Sequence, residues 1–121
     1  MSTLLTGLET VIHSPRQAAL ESTSRPAPSP SQVLVRVERT LISPGTELAL
    51  YEGTHSALGD PEVRFAKYPF RPGYAAIGRV ECVGEETQGL AVGERIFFHG
   101  RHASWGVVTP TEDVWLPFPV G

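Results

Sequence analysis

A chain of 121 residues with 40% apolar and 19% charged side chains can bury one core but not two. The formal net charge of -3, with no basic stripe, gives no reason to expect a nucleic-acid partner. No apolar run approaches the ~20 residues needed to span a bilayer, and the first six residues, Met1 to Thr6, lack the basic and apolar blocks of a signal peptide.

Twelve Gly and eleven Pro favour turns over long helices, so the composition leans toward a β-rich fold. Leu8 to Ile12 and Gln17 to Glu21 flank the turn-like His13-Ser14-Pro15-Arg16 and predict a first hairpin. Residues 22–31 are rich in Pro and Ser. Proline fixes φ and lacks an amide donor, which rules out a central strand or a helix interior there and predicts an extended surface loop. From Gln32 to Thr40, Val33, Val35 and Val37 alternate with Leu34, Arg36 and Glu38, the period of a half-buried strand. Leu41-Ile42-Ser43-Pro44-Gly45 breaks it. Thr46 to Tyr51 has room for one helical turn, with Thr46 or Ser43 as its cap.

Residues 52–72 are polar, with scattered aromatics, and predict a long irregular loop; loops of that length in a small domain are often functional. Further strands are predicted at Tyr74 to Val83, Glu94 to His99, Ala103 to Thr109 and Val114 to Leu116. Gly78 inside the first of these marks a bulge or a close backbone approach. The single cysteine, Cys82, falls in this strand. It precludes an intrachain disulfide, reads as a small core residue rather than a reactive thiol, and fits a reducing, cytoplasmic compartment. The pattern as a whole predicts a β-barrel or β-sandwich with short strands and one long loop.

Five blocks in order carry a resemblance. They are Val33-Leu34-Val35-Arg36-Val37, Ser43-Pro44-Gly45-Thr46-Glu47-Leu48, Pro72-Gly73-Tyr74-Ala75-Ala76-Ile77-Gly78-Arg79-Val80, Val92-Gly93-Glu94-Arg95-Ile96 and Val114-Trp115-Leu116-Pro117. From about Gln32 to Gly121 the chain resembles the N-terminal, GroES-like domain of the medium-chain dehydrogenase/reductase superfamily. The nearest flavour is the branch with S-x-G-T-E and P-G-Y motifs that includes bacteriochlorophyllide-type dehydrogenases. The resemblance implies a mainly β, partly open GroES-like barrel over residues 1–121, with short helical turns and one long loop. It also implies an NAD(P)-linked oxidoreductase acting on a small-molecule substrate, and it allows a homodimer.

Zinc-dependent members of that superfamily begin their metal site with C-G-[ST]-D and carry G-H-E in the later block. This chain has Pro44 at the Cys position, Tyr74 at the His position and Ala75 at the carboxylate position. Zinc needs three or four S, N or O ligands at about 2 Å, so the expectation is no zinc, catalytic or structural. The resemblance also implies that NAD or NADP is held by a Rossmann domain absent from this chain. No strand here leads into a G-x-G-x-x-G turn and a helix, so the cofactor-binding residues are unknown. The expected object is the substrate-side domain of a longer, zinc-independent enzyme, inactive alone. A stand-alone binding or assembly module stays open, with residues 52–72 as its contact loop.

Candidate site residues follow from the resemblance. Thr46 stands where relatives keep a proton-relaying hydroxyl, against the alternative of a helix cap. Tyr74 points a phenol into the cleft or simply packs. His102, in Phe97-Phe98-His99-Gly100-Arg101-His102-Ala103-Ser104, borders the substrate cleft as a proton donor or acceptor, or is a satisfied buried histidine. Thr46, Tyr74 and His102 are the catalytic candidates, and Tyr51 and Phe70 the substrate-binding ones. Glu47 pins a strand or an arginine, or is a solvated surface carboxylate. The spacing of His99 and His102 does not favour a metal pair. Trp105 and Trp115 read as core or interface residues.

Overall fold

The computed structural model describes residues 4–118. Seven strands and one short helix follow in chain order: β1 (Leu4–Ser14), β2 (Gln17–Pro26), β3 (Val33–Thr40), α1 (Thr46–Glu52), β4 (Ala76–Val83), β5 (Arg95–Phe98), β6 (Trp105–Val108) and β7 (Trp115–Pro117). β1 and β2 form a two-stranded sheet. The other five strands form a second sheet in the order β6-β3-β4-β5-β7. Every described strand pair is antiparallel. The architecture is mainly β, two sheets that do not close, as in a partial GroES-like barrel.

The first hairpin is longer than the sequence pattern predicted. β2 runs to Pro26 and so takes in half of the stretch expected to be a loop. Ser, Thr and Arg fill that part, and β2 has a partner on one side only. An edge strand tolerates such residues and a terminal proline, whereas a central strand does not.

β3 is the spine of the larger sheet, paired to β4 on one side and β6 on the other. Two register shifts interrupt its pairing with β4, at Leu34/Val35, where Glu81 of β4 is the extra residue, and at Val37/Arg39, where Glu38 of β3 is. Val33, Leu34 and Val35 are all buried, so both faces of β3 are covered at that end. Cys82, opposite Leu34 beside the first shift, is exposed rather than a core residue. A bulge adds one residue to one strand and re-aims its side chains, which period-two reasoning cannot foresee.

Gly78 on β4 leaves no room for a side chain against β3. A Cβ there would lie 2.4 Å from the Arg36 carbonyl oxygen and 2.7 Å from Val35 Cγ1. Gly78→Ala is therefore expected to destabilise the domain by about 1–3 kcal/mol, as overpacking does. Urea unfolding checks it, and an unchanged midpoint would show that the strands can part at no cost.

The core is formed by Val33, Val35, Ala76, Val80, Leu90, Ile96, Phe98 and Val108, with Trp115 packed partly against it. A further set of buried residues, Val11, Ile12, Leu50 and Ala66, lies where hairpin, helix and long loop meet. The loop is tied down there. Phe70 exchanges both backbone hydrogen bonds with Ile12 at 2.8 Å, and the Tyr68 hydroxyl donates to the Leu50 carbonyl at 2.6 Å. Among the described residues no helix is long and apolar enough to cross a membrane.

Candidate functional site

Two stretches far apart in sequence, residues 40–47 and the turn between β5 and β6, meet at His102. β3 ends at Thr40, α1 begins at Thr46, and the turn between β5 and β6 carries His102 itself. His102 Nδ1 lies 2.6 Å from Thr40 Oγ1, and His102 Nε2 lies 2.7 Å from Glu47 Oε1. Glu47 is 4% exposed and is the only buried charged residue among those described. Its second oxygen accepts the Ser43 N–H. Burying a carboxylate is costly unless it is paired and hydrogen-bonded, and here both oxygens are engaged.

Local structure explains why Glu47 points inward. α1 starts after Gly45 and has no side-chain cap, so neither Ser43 nor Thr46 plays the capping role expected of them. The Glu47 carboxylate occupies that end instead. It satisfies the Ser43 amide in the first turn, where the helix dipole favours negative charge. Pro44, which lacks an N–H, removes one further donor to be satisfied.

The backbone of His102 is held equally firmly. Its N–H donates to the Pro72 carbonyl at 3.1 Å and its carbonyl accepts from the Thr10 N–H at 2.9 Å. Gly73 passes so close that a Cβ would sit 2.4 Å from the His102 nitrogen, and its φ of +111° suits glycine. The Pro72-Gly73-Tyr74 loop thus lies directly against His102.

Of the predicted site residues, His102 is the one that the geometry builds into a polar network. Thr46 and Tyr74 are both exposed, Tyr74 at 52%, and neither hydroxyl has a hydrogen-bond partner among the described residues. They lie on the two segments that flank the network, beside the exposed apolar side chains of Leu41, Ile42 and Leu48. Tyr51 and Phe70 are half-buried, and their backbone partners come from the hairpin: Arg16 N–H on the Tyr51 carbonyl, Ile12 on Phe70. No described hydrogen bond joins either to His102.

Glu47 and Thr40 are the functional candidates that motif reading missed or left open. Their partner is 55 and 62 residues away. One signal was available: a glutamate in the first turn of a helix bordered by Pro and Gly, in a chain with only four histidines. The remaining histidines are accounted for otherwise. His13 pairs with Glu21, His55 accepts the Ala57 N–H and meets Phe65 edge-on, and His99 is exposed. Trp105 and Trp115 donate to the Thr6 and Pro110 carbonyls.

A shallow groove of about 310 Å³ opens beside Thr40 and His102, with a mixed lining of Leu8, Leu20 and Val37 and of Glu38, Arg39 and Ser104. A larger depression of about 690 Å³ lies on the outer face of the five-stranded sheet, against Arg36, Arg39 and Arg95. Arg95 donates two hydrogen bonds to Glu38 nearby, and those bonds, with Arg79 adding its charge, hold the Glu38 carboxyl below the usual carboxylate range.

The fold family implies zinc and a nicotinamide, and the residues present fit neither. Pro44 and Ala75 carry no side-chain metal donor, and no group of three or more His, Cys, Asp or Glu among the described residues is placed to hold a metal ion. A pyrophosphate site needs a strand, a glycine-rich turn and a helix N-terminus in a parallel βαβ unit. Here the described helix has seven residues and the described strands pair only antiparallel.

Comparison with known proteins agrees with this architecture. Residues 29–110 match the model of the alcohol dehydrogenase GroES-like domain. An alcohol dehydrogenase of Rhizobium meliloti is 32% identical over 96 residues, covering 79% of this chain and 26% of that protein. The 2-desacetyl-2-hydroxyethyl bacteriochlorophyllide A dehydrogenase of Cereibacter sphaeroides is 31% identical over 92 residues, covering 76% of this chain and 27% of that protein. Among solved structures, an alcohol dehydrogenase superfamily protein from Novosphingobium aromaticivorans superposes with a TM-score of 0.66 at 25% identity, covering 85% of this chain and 32% of its own. The chain spans about a quarter of the length of these curated relatives. The motifs, the two-sheet antiparallel fold and these matches agree: the chain belongs to the alcohol dehydrogenase GroES-like domain family of the medium-chain dehydrogenase/reductase superfamily.

Proposed function

We propose that this chain is the substrate-side domain of a zinc-independent, NAD(P)-linked oxidoreductase. The observation that carries the reading is the Thr40–His102–Glu47 network, flanked by the loops in which Pro44, Tyr74 and Ala75 stand where relatives carry metal ligands. A carbonyl or alcohol substrate must gain or lose a proton as hydride moves. With no metal ligands to polarise its oxygen, fixed side-chain hydrogen bonds must do so.

His102 holds a proton between a carboxylate and a hydroxyl, and Glu47 fixes the orientation of its ring. Thr46 and Tyr74 present free hydroxyls on the flanking segments and complete the wall of the cleft, with Tyr51 and Phe70 at the two ends of the long loop. A nicotinamide held by a second, Rossmann domain would supply the hydride chemistry, and this chain's residues would contribute substrate orientation and proton handling. The tethering of residues 52–72 to the hairpin and helix supports a wall rather than a free contact loop.

Three measurements test the reading. Elemental analysis of washed protein is expected to show well under one equivalent of zinc, and stoichiometric retained zinc would overturn the metal-free assignment. Calorimetric titration of residues 1–121 with NAD(P)H is expected to show no micromolar binding. A protein carrying both this domain and a cofactor domain is expected to turn over alcohols or carbonyl compounds with NAD(P). Micromolar binding to the single domain, or no turnover by the two-domain protein, would remove the proposal.

A further inference from the structure

The backbone groups on the outer edge of β2 follow from those of β1. On β1 the Thr10 and Ile12 N–H groups donate to the carbonyls of His102 and Phe70, and the Leu8 carbonyl accepts the Ser104 N–H. These residues turn their backbone away from β2. In an antiparallel ladder successive residues alternate between the two sides. Gly7, Glu9 and Val11 therefore bond to their β2 partners Thr23, Glu21 and Ala19. On β2 the residues in between, Ala18, Leu20, Ser22 and Ser24, aim N–H and C=O outward. All four are exposed, and among the described residues no hydrogen bond reaches them from outside the hairpin.

The larger sheet ends in β6 and β7, which have four and three residues. Edges that short resist pairing. β2 has ten residues. From Ala18 to Ser24 it carries no Lys, no Pro and no register shift, the devices that keep an edge solitary. Its outward positions hold no charge. Leu20, in the middle of the free stretch, is 69% exposed.

From this arrangement we infer that β2 is an association surface whose occupant is β2 of a second copy of this chain, paired antiparallel about a two-fold axis at Leu20. Occupant and register follow from what stands opposite what. An axis at Leu20 sets two exposed apolar side chains against each other. It pairs Ala18 with Ser22 of the second copy, and Ser22 with Ala18, so these outward groups exchange hydrogen bonds. Glu21 then stands opposite Ala19. An axis one residue further on, at Glu21, would oppose two carboxylates, and like charges directly opposite are destabilising. An isologous contact of this kind closes at two copies. Leu20 also lines the groove beside Thr40 and His102, so the strand of the second copy forms part of that groove's rim.

Strand pairing alone buries less than the roughly 800 Å² per partner of a standard interface, so the association is weak and concentration-dependent. Sedimentation velocity of this chain is expected to show the weight-average mass climbing from one copy toward two between about 10 μM and about 1 mM. Hydrogen exchange followed by NMR reads the edge directly. The amides of Ala19, Glu21 and Thr23 should be slow at every concentration. Those of Ala18, Leu20 and Ser22 should be fast in dilute protein and slow in concentrated protein. Ser22→Pro removes an outward N–H and none that β1 uses. It should weaken association at least about tenfold while Glu21 and Thr23 stay protected. Leu20→Lys should do the same, and it decides the matter if the proline variant fails to fold. A single-copy mass throughout the range, or a dimer that survives these substitutions, would overturn the inference. So would protection of Ala18, Leu20 and Ser22 that does not change with concentration, which would assign the edge to a segment of this chain instead.

Discussion

Phe98→Ala is expected to lower the unfolding free energy by about 3–5 kcal/mol, the usual cost of emptying a buried aromatic site. Phe98 is 2% exposed and belongs to the main core cluster. Its ring lies between two glycines: a Cβ at Gly100 or at Gly106 would approach Phe98 Cε2 to 2.6 and 2.5 Å. Neighbouring backbone held by β3 and β4 cannot easily collapse into the vacated space, which puts the cost at the upper part of the range. Domains of this size have only about 5–15 kcal/mol of net stability, so the variant should unfold at a much lower urea concentration. A loss below about 1 kcal/mol would mean that the sheets close over the cavity.

Glu47→Ala should be the second most damaging single change, at about 3 kcal/mol. It leaves the Ser43 amide and His102 Nε2 without their partners and opens the buried start of α1. Glu47→Gln keeps the shape and can still accept one hydrogen bond, so it should cost clearly less. Chemical denaturation of both variants checks the order. If alanine and glutamine cost the same, the charge on Glu47 is what matters; if neither costs anything, the network is dispensable for folding.

What was legible in the sequence was local. The valine alternation on β3 and the glycine in β4 mark a strand and a close crossing, and both are found. Period two cannot foresee that both faces of β3 are covered at Leu34, nor that a bulge at Glu81 of β4 leaves Cys82 exposed. The helix at Thr46 was visible, but its start was not: Gly45 opens it without a side-chain cap, and the first-turn carboxylate turns back to the Ser43 amide. The site was half legible. His102 stands in a recognisable motif, whereas its link to Glu47 and Thr40 spans 55 and 62 positions. No periodicity encodes such a pairing; only the folded sheet order creates it.

Gly73 carries a consequence for anyone reshaping this domain. With φ at +111° and no space for a Cβ between it and the backbone of Arg101 and His102, it behaves as a seam between two loops. Laboratory evolution aimed at new substrates would vary Tyr74 and the apolar lip around it, since those side chains face outward. Position 73 must be held constant in such a library. Any larger residue there would wedge His102 away from Glu47, and the resulting clones would report a lost seam rather than a changed specificity.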